Sequence, residues 1–237
     1  MKPNIDNYSD VLDLLDDFVE QISWDHFYAN RRPAPFVLQN EMPDENLMEL
    51  IASRSVRTAL EFGCGEGRNA IFLASKGIDV TAIDKSAVAI ENAKKISGKK
   101  GLKVDFQSID ALTFESDRKY DLIYDSGMFH HLAPHRRITY VELVKKMLAP
   151  GGCLGLTCFA WGDQAVHEAD EIDDWEFYKK KRVGVAFTPA RLKEIFGNAF
   201  DLVSIRKMKD GVPDTIQGLT FMWAALFEHI SNEEGIR

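Results

Sequence analysis

Short apolar runs alternate with amphipathic stretches from residue 56 to residue 159. The apolar runs predict buried β-strands, and the stretches with apolar residues three and four positions apart predict helices. The predicted strands are 56–62, 78–84, 102–110, 119–127 and 153–159, and the predicted helices between them are 68–76, 86–97 and 134–148. This alternation predicts an α/β fold with a doubly wound parallel sheet and helices on both of its faces.

The two ends of the chain follow other patterns. Residues 1–50 predict two short helices on either side of "RRPAPF", and we expect them to form an N-terminal helical cap. After a helix that begins at Thr188–Pro189, two strands follow without a helix between them, which predicts an antiparallel hairpin. The connection 160–187 is long for a compact domain, so we expect a substrate lid there, with a surface helix as the alternative. No repeat divides the chain, and we expect one domain over residues 1–237.

Composition and charge argue against a nucleic-acid-binding or membrane-spanning protein. The 237 residues are 45% hydrophobic and 28% charged, with a net charge of -8, so nucleic acid is not an expected partner. No apolar run approaches the ~20 residues of a membrane span, and the acidic N-terminus is unlike a targeting peptide. Three cysteines without zinc-like pairing favour reduced thiols and a cytoplasmic location.

A glycine-rich loop, Gly63–Cys64–Gly65–Glu66–Gly67, connects the first predicted strand to the first predicted helix. Such a loop lets a ligand approach bare backbone at a helix N-terminus. Arg68 stands where a dinucleotide-binding loop has its third glycine, and no Lys-Ser/Thr pair follows, so two common nucleotide motifs are excluded.

Acidic residues stand at the ends of the next three predicted strands. Asp84 is placed to accept hydrogen bonds from ribose hydroxyls, with capping of the next helix as the alternative. Asp110 and Ala111 are placed to meet an adenine ring, and Asp125 ends the fourth strand. Because the carboxyl ends of parallel strands lie at one edge of a sheet, these positions together predict one ligand site.

With these residues, the sequence resembles the class I S-adenosylmethionine-dependent methyltransferases over about residues 56–160. The matching motifs are "EFGCGEGRN", "AIDKS", "SIDA", "YDSGMFHHL" and "LAPGG". The loop and the upstream "WDHFYANRRPAPF" are most similar to the tellurite-resistance and thiopurine-type small-molecule enzymes. The resemblance implies a seven-stranded, mostly parallel, Rossmann-like sheet of order 3-2-1-4-5-7-6 with the last strand antiparallel.

The resemblance also implies S-adenosyl-L-methionine as the cofactor, with S-adenosyl-L-homocysteine as the product. Glu61 is expected to receive the amino group of the cofactor, and Arg68 or Asn69 its carboxylate, assisted by the helix dipole. The predicted cofactor-binding residues are Tyr28, Glu61, Gly63, Cys64, Gly65, Arg68, Asn69, Asp84, Lys85, Asp110, Ala111 and Asp125.

Methyl transfer requires an aligned nucleophile, and a base only if the acceptor must lose a proton. His130 and His131 are the candidate catalytic residues, as a base or as hydrogen-bonding groups; packed structural histidines are the alternative. A thiolate acceptor would need no base. His131 and His135 have a metal-like spacing, but no third ligand is visible, so no metal is predicted. Cation–π contacts are available from aromatic residues. These are Trp24, Phe27, Tyr28, Phe36 and Trp161.

The sequence therefore predicts a methyltransferase acting on a small molecule. Methylation of RNA or of a protein side chain, a non-catalytic protein that binds the cofactor, and a nicotinamide-dependent reductase are the alternatives. The acceptor atom is left open between sulfur, nitrogen, oxygen and a metalloid, because fold does not fix function. The oligomeric state, monomer or homodimer, is also open, although the apolar last strand "LTFMWAALF" suggests pairing across a sheet edge.

Overall fold

The computed structural model describes residues 5, 7–19, 22–30, 41–163, 174–180 and 184–229. The helices are α1 Tyr8–Asp16, α2 Trp24–Asn30, α3 Glu45–Ser53, α4 Arg68–Ser75, α5 Ala87–Lys99, α6 Pro134–Met147, α7 Asp174–Lys180 and α8 Pro189–Phe196. The strands are β1 Thr58–Phe62, β2 Asp79–Asp84, β3 Asp105–Ser108, β4 Tyr120–Ser126, β5 Leu148–Phe159, β6 Phe200–Lys207 and β7 Met222–His229. Two 3₁₀ turns cover Ala111–Thr113 and Phe129–His131.

The strands form one seven-stranded sheet of order β3-β2-β1-β4-β5-β7-β6. The first five strands pair in parallel, and β7 pairs antiparallel with both β5 and β6. The predicted fold class, including the antiparallel last strand, is confirmed. The carboxyl ends of β1, β2, β3 and β4 lie at one edge, so the motifs that follow them meet there.

Local sequence determines where the helices begin. The Ser86 hydroxyl accepts a hydrogen bond from the Ala89 N–H (3.2 Å), and the Thr188 hydroxyl accepts one from the Arg191 N–H (3.1 Å). The prolines at the first positions of α6 and α8 lack an N–H that the helix would leave unpaired in any case. The predicted starts of these helices are confirmed.

Two apolar cores lie on opposite faces of the sheet. On one face α3, α4 and α5 pack through side chains such as Leu47, Leu73 and Ile90. On the other face α6 and α8 pack through side chains such as Tyr140 and Phe196. This arrangement explains why the central strands read as continuous apolar runs instead of alternating ones.

Two details differ from the sequence prediction. Strand β5 begins at Leu148, so the predicted turn Pro150–Gly151–Gly152 lies within its range, where the pairing with β4 shifts between Tyr120 and Leu122. The last strand, β7, is paired on both sides, so it cannot pair across an edge as suggested.

Helices from the N-terminal cap contact the sheet-covering helices at two places. Arg136 of α6 pairs with Asp13 (2.9 Å) and Asp16 (2.5 Å) of α1. Asp25 of α2 accepts hydrogen bonds from the Ser86 hydroxyl (2.7 Å) and the Val88 N–H (3.2 Å) at the start of α5. The prediction "RRPAPF" falls on residues 31–36, which lie outside the described residues.

Candidate active site

The glycine loop follows β1 and turns directly into α4. Gly63, Gly65 and Gly67 all have positive φ angles, of 62°, 54° and 82°. A Cβ atom at Gly65 would lie 2.5 Å from the Tyr28 hydroxyl, and one at Gly63 would lie 2.6 Å from Cβ of Met128. The loop therefore needs glycine both for its backbone conformation and for the close approach of α2 and of the turn after β4.

A cavity of about 970 Å³ opens at the carboxyl ends of the strands, beside this loop. Its volume is at the upper end of the range for small-molecule sites, which leaves room for a cofactor and an acceptor together. The predicted site residues that line it are Tyr28, Glu61, Gly63, Cys64, Gly65, Arg68, Asn69, Asp84, Lys85, Asp110, Ala111, His130 and His131. The sequence motifs thus come together in space.

Glu61 is buried near the end of β1, and only one of its two carboxyl oxygens has a hydrogen-bond partner among the described residues. Its Oε1 accepts a hydrogen bond from Nδ2 of Asn69 (3.2 Å), while its Oε2 has no partner among the described residues. Burial, moderated by Arg68 and Asn69, raises the pKa of the Glu61 carboxyl to about 8. A buried carboxylate oxygen without a donor is suited to a ligand ammonium group, so this position fits the amino group of S-adenosylmethionine.

Asp84 links the end of β2 to the glycine loop. Its Oδ2 accepts the N–H of Gly65 and its Oδ1 accepts the N–H of Ser86, both at 2.8 Å. Burial, only partly offset by these bonds, raises the pKa of the Asp84 carboxyl above its ordinary value. Each carboxylate oxygen can accept a further hydrogen bond, so ribose binding stays a prediction compatible with this geometry. Lys85 lies exposed beside it.

Arg68 takes part in a buried polar network that the sequence analysis missed. Its Nη1 pairs with Oδ1 of Asp44 at 2.5 Å, and its Nη2 donates to the Ser126 hydroxyl at 2.9 Å. Oδ2 of Asp44 also accepts hydrogen bonds from Tyr124 (2.9 Å), Ser126 (2.6 Å) and Asn69 (3.2 Å). Burial lowers the pKa of the Arg68 guanidinium, but Asp44 outweighs this and the pKa is raised overall, so Arg68 remains charged.

One signal for Asp44 is present in the sequence. "PDENL" at residues 43–47 is typical of a helix start, with Asp44 as the N-cap residue. Asp44 does stand at the N-cap of α3, but its side chain makes no capping bond. The carboxylate is directed to Arg68 instead, which no local pattern indicates.

Asp110 and Ala111 lie where β3 leads into a 3₁₀ turn. Oδ1 of Asp110 accepts the N–H of Leu112 (2.9 Å), and its exposed side chain and the buried Ala111 both line the cavity. Their position at the third strand end is compatible with the predicted adenine contact.

The structure corrects the prediction for Asp125. Its side chain is fully buried and does not line the cavity. Oδ1 accepts the N–H groups of Met128 (2.8 Å) and Phe129 (3.2 Å), and Oδ2 accepts the Tyr140 hydroxyl (3.0 Å). Burial raises the pKa of this carboxyl to about 7. Asp125 thus stabilises the turn after β4 against α6 through these hydrogen bonds.

His130 and His131 form a coupled pair in the second 3₁₀ turn. Their Nε2 atoms are 3.1 Å apart, so one ring donates a hydrogen bond to the other. His130 is buried and stacks on Phe159 with ring centroids 3.8 Å apart, and burial holds the pKa of its imidazole well below the ordinary value. His131 is half-buried and contacts Trp24 edge to face at 4.9 Å. Both line the cavity.

Not all of the aromatic residues considered for cation–π contacts line the cavity. Trp24, Phe27 and Tyr28 line the cavity, while Trp161 is 42% exposed and does not. Phe36 lies outside the described residues. Cys64 is a buried thiol whose pKa is raised by burial, which makes a nucleophilic role unfavourable.

The predicted lid, 160–187, is described only for residues 160–163, 174–180 and 184–187. These described residues do not line the cavity. Helix α7 is attached to α6, since the Tyr178 hydroxyl lies 2.7 Å from Nδ1 of His135 and Asp174 pairs with Arg137 at 2.7 Å. His135 is also 2.9 Å from Asp16, so its ring nitrogens both have partners.

The part of the chain that the structure describes has no cluster of three His, Cys, Asp or Glu side chains placed to hold a metal ion. Among the same residues, no helix is both long enough and apolar enough to cross a bilayer.

Comparison with known proteins finds similarity to methyltransferases. The family described as "Methyltransferase domain" matches residues 59–152. A 2-heptyl-1-hydroxyquinolin-4(1H)-one methyltransferase of Mycobacteroides abscessus is 31% identical over 112 residues, 46% of this chain and 49% of that protein. A probable thiol methyltransferase 2 of Arabidopsis thaliana is 32% identical over 123 residues, 51% of this chain and 54% of that protein. The chain thus spans about half the length of these curated relatives.

Solved structures show the same fold. One, from work on the conversion of a disulfide bond into a thioacetal group during echinomycin biosynthesis, aligns with a TM-score of 0.68 and 24% identity, covering 89% of this chain and 92% of that chain. TehB from Haemophilus influenzae aligns with a TM-score of 0.58 and 18% identity, covering 78% and 61% of the two chains.

The family match over residues 59–152 and the methyltransferases among the relatives agree with the predicted resemblance to the class I S-adenosylmethionine-dependent methyltransferases of the tellurite-resistance and thiopurine type.

Proposed function

We propose that this protein transfers the methyl group of S-adenosylmethionine to a small-molecule acceptor by in-line displacement. The observation that carries the proposal is the continuity of one cavity, which reaches from the glycine loop and Glu61 to the pair of histidines. A cofactor at the first end and an acceptor at the second would meet inside a single cavity.

The residues at the cofactor end supply a charge pattern that matches a zwitterionic amino-acid group. Glu61 offers its unpartnered oxygen to the ammonium group, and Arg68 offers positive charge to the carboxylate. Asp84 holds the loop through Gly65 and would receive the ribose hydroxyls, and Asp110, which also lines the cavity, would receive the adenine. Bound there, the cofactor supplies an electrophilic methyl group on a sulfonium, so the protein has chiefly to align the two partners and exclude water.

The acceptor end is apolar and aromatic. Trp24, Phe159, Leu219 and Met222 line it, with His131 at its polar edge. His130 is kept neutral by burial and donates or accepts one hydrogen bond with His131, so the pair binds one proton between the two Nε2 atoms. This environment favours an apolar acceptor whose nucleophilic atom is a soft anion or gives up its proton easily.

Two relatives support testing sulfur and oxygen acceptors first. One is named as a thiol methyltransferase and the other acts on a heterocyclic N-hydroxy compound. Both names concern small molecules, which is the acceptor class proposed for this chain.

The proposal includes the domain organisation and the location of the protein. Residues 1–237 form one methyltransferase domain, residues 1–50 are its cap and residues 160–187 its substrate lid. A cytoplasmic location is supported by the three cysteines, which are all buried and free of disulfide bonds.

Calorimetric titration with S-adenosylhomocysteine, with NADH in a parallel experiment, tests the proposal. Binding of the first ligand alone supports it, and binding of NADH alone overturns it. Incubation with labelled S-adenosylmethionine and panels of aromatic thiols, phenols and amines then tests transfer. Binding without transfer to any member of the panels favours the non-catalytic alternative.

The His131→Ala variant separates binding from turnover. It should bind S-adenosylhomocysteine as the wild type does and transfer the methyl group more slowly to hydroxyl acceptors than to thiolates, which need no base. Equal activity of the two proteins on both acceptors would assign His131 a structural role.

A further inference from the structure

Asp44 is a buried carboxylate outside the glycine loop, only 1% exposed. Backbone bonds fix its position, because the Glu45 N–H donates to Gln217 O and the Gln217 N–H donates to Pro43 O, both at 2.9 Å. Residues 43–45 are thus attached to the connection between β6 and β7. Asp44 does not line the cavity, so any effect it has on a ligand acts through its neighbours.

Arg68 interacts with two buried carboxylates, Asp44 and Glu61. It pairs with Asp44 at 2.5 Å, and it also interacts electrostatically with Glu61, whose Oε2 has no partner among the described residues. Asn69 lies between the two acids, and its Nδ2 is 3.2 Å from an oxygen of each. Without the charge of Asp44, the guanidinium would be attracted to Glu61, the other buried carboxylate with which it interacts.

We propose that Asp44 is a positioning residue for the amino-acid end of the cofactor: by pairing with Arg68, it keeps Glu61 Oε2 available for the ammonium group. The inference rests on the proposed function. Asp44 holds one side of the guanidinium, and the part of Arg68 that lines the cavity stays directed at the cofactor carboxylate. The site then offers one unpartnered carboxyl oxygen to the ammonium group and one positive group to the carboxylate.

The charges around Glu61 agree with the proposal that Asp44 pairs with Arg68 and leaves Glu61 available. Burial is the main cause of its raised pKa; Arg68 lowers the pKa and Asp44 raises it, and Glu61 in turn raises the pKa of the Cys64 thiol. Loss of the Asp44 charge would therefore ease ionisation of Glu61, but at the same time release Arg68 to neutralise it.

Two ligands distinguish positioning from a general structural role. S-adenosylhomocysteine carries the amino-acid end, whereas 5′-methylthioadenosine has the same nucleoside thioether without it. Asp44→Asn should weaken binding of the first by about tenfold or more, the effect of losing one charged hydrogen bond, and leave the second within about twofold. The control variant is Glu49→Gln, on the exposed side of the same helix, which should change neither affinity.

Equal loss of affinity for both ligands in Asp44→Asn, or no change in either affinity, would overturn the proposal.

If Asp44→Asn does not fold, Arg68→Gln and the double variant Asp44→Asn/Arg68→Gln replace it, since the double variant buries no unpaired charge. Because Asp44 acts through Arg68, these two should bind S-adenosylhomocysteine within about twofold of each other. A clear further loss in the double variant contradicts the inference, whereas a wild type that binds neither ligand contradicts the proposed function itself.

Discussion

The carboxylate of Asp25 accepts a 2.7 Å hydrogen bond from the hydroxyl of Ser86, the same hydroxyl that caps helix α5. Asp25 also accepts the N–H of Val88, so a residue of α2 supplies part of the cap of a helix more than fifty positions later in the chain. Helix α2 carries Tyr28 over Gly65, and this link therefore holds the cap against the cofactor end of the cavity.

Replacing Asp25 with Ala should loosen α2 without unfolding the sheet. We expect faster amide hydrogen exchange in residues 24–30 and weaker binding of S-adenosylhomocysteine, while exchange in β1 and β4 stays unchanged. Asp25→Asn retains an acceptor oxygen and should have the smaller effect. Unchanged exchange in α2 would show that other contacts hold it.

Replacing Gly65 with Ala should weaken binding of S-adenosylhomocysteine for two reasons. The residue has a φ angle of 54°, which costs a residue with a side chain about 1–2 kcal/mol, and the new Cβ would lie 2.5 Å from the Tyr28 hydroxyl. Removing that hydroxyl in Gly65→Ala/Tyr28→Phe should recover part of the affinity. If the double variant binds no better than Gly65→Ala, the backbone conformation alone explains the loss.

Binding of the cofactor product should depend on pH through Glu61. The pKa of its carboxyl is about 8 in the free protein, so the acid is mostly protonated at neutral pH, whereas an ammonium ligand requires the ionised form. The affinity for S-adenosylhomocysteine should therefore rise by about tenfold per pH unit from about pH 6 toward pH 8, with release of a proton. Calorimetry in buffers of different ionisation enthalpy measures that proton.

Glu61→Gln is the matched variant for this measurement. It should bind without proton release and with a flat pH profile, whereas Asp125→Asn should leave proton release intact because Asp125 does not line the cavity. The same raised pKa has a consequence for stability: the unfolded chain ionises Glu61 at a lower pH than the folded one, so stability from this group declines as the pH rises from about 4.5 to about 8.

Replacing Arg137 with Met should leave the melting temperature unchanged or raise it. Arg137 is buried over the ring of Phe187, and burial lowers the pKa of its guanidinium. Its Nε and Nη2 have no partners among the described residues, and its one ion pair is with Asp174. Apolar replacement of a poorly satisfied buried ion pair is often neutral or stabilising. A large fall in melting temperature would mean that the ion pair between Arg137 and Asp174 stabilises the folded protein.

The sequence was sufficient for the order of elements and for the position of the site. Apolar runs predicted β1 to β5 within a few residues at most ends, and central strands such as β1 and β4 are apolar because they are buried between two helical layers. The glycine loop and the strand-end residues come together because a parallel sheet brings its carboxyl ends to one edge.

The side-chain directions within the site were beyond sequence reasoning. Tyr124 and Ser126 point toward Asp44, while Asp125 between them points to Tyr140 on the other face. The three consecutive polar residues give no signal for which of them faces the ligand. Asp44 was missed because its partner Arg68 is 24 positions away, and only tertiary packing brings them together.

Strand β7 has a consequence for how the chain assembles. It is the last of the seven strands along the sequence, yet it lies between β5 and β6, with antiparallel partners on both sides. During synthesis β6 leaves the ribosome before the strand that joins it to the sheet exists, so it must wait unpaired beside an open edge of β5. Chaperone engagement and aggregation of nascent chains are expected to concentrate in that interval, which ends only when residues 222–229 emerge.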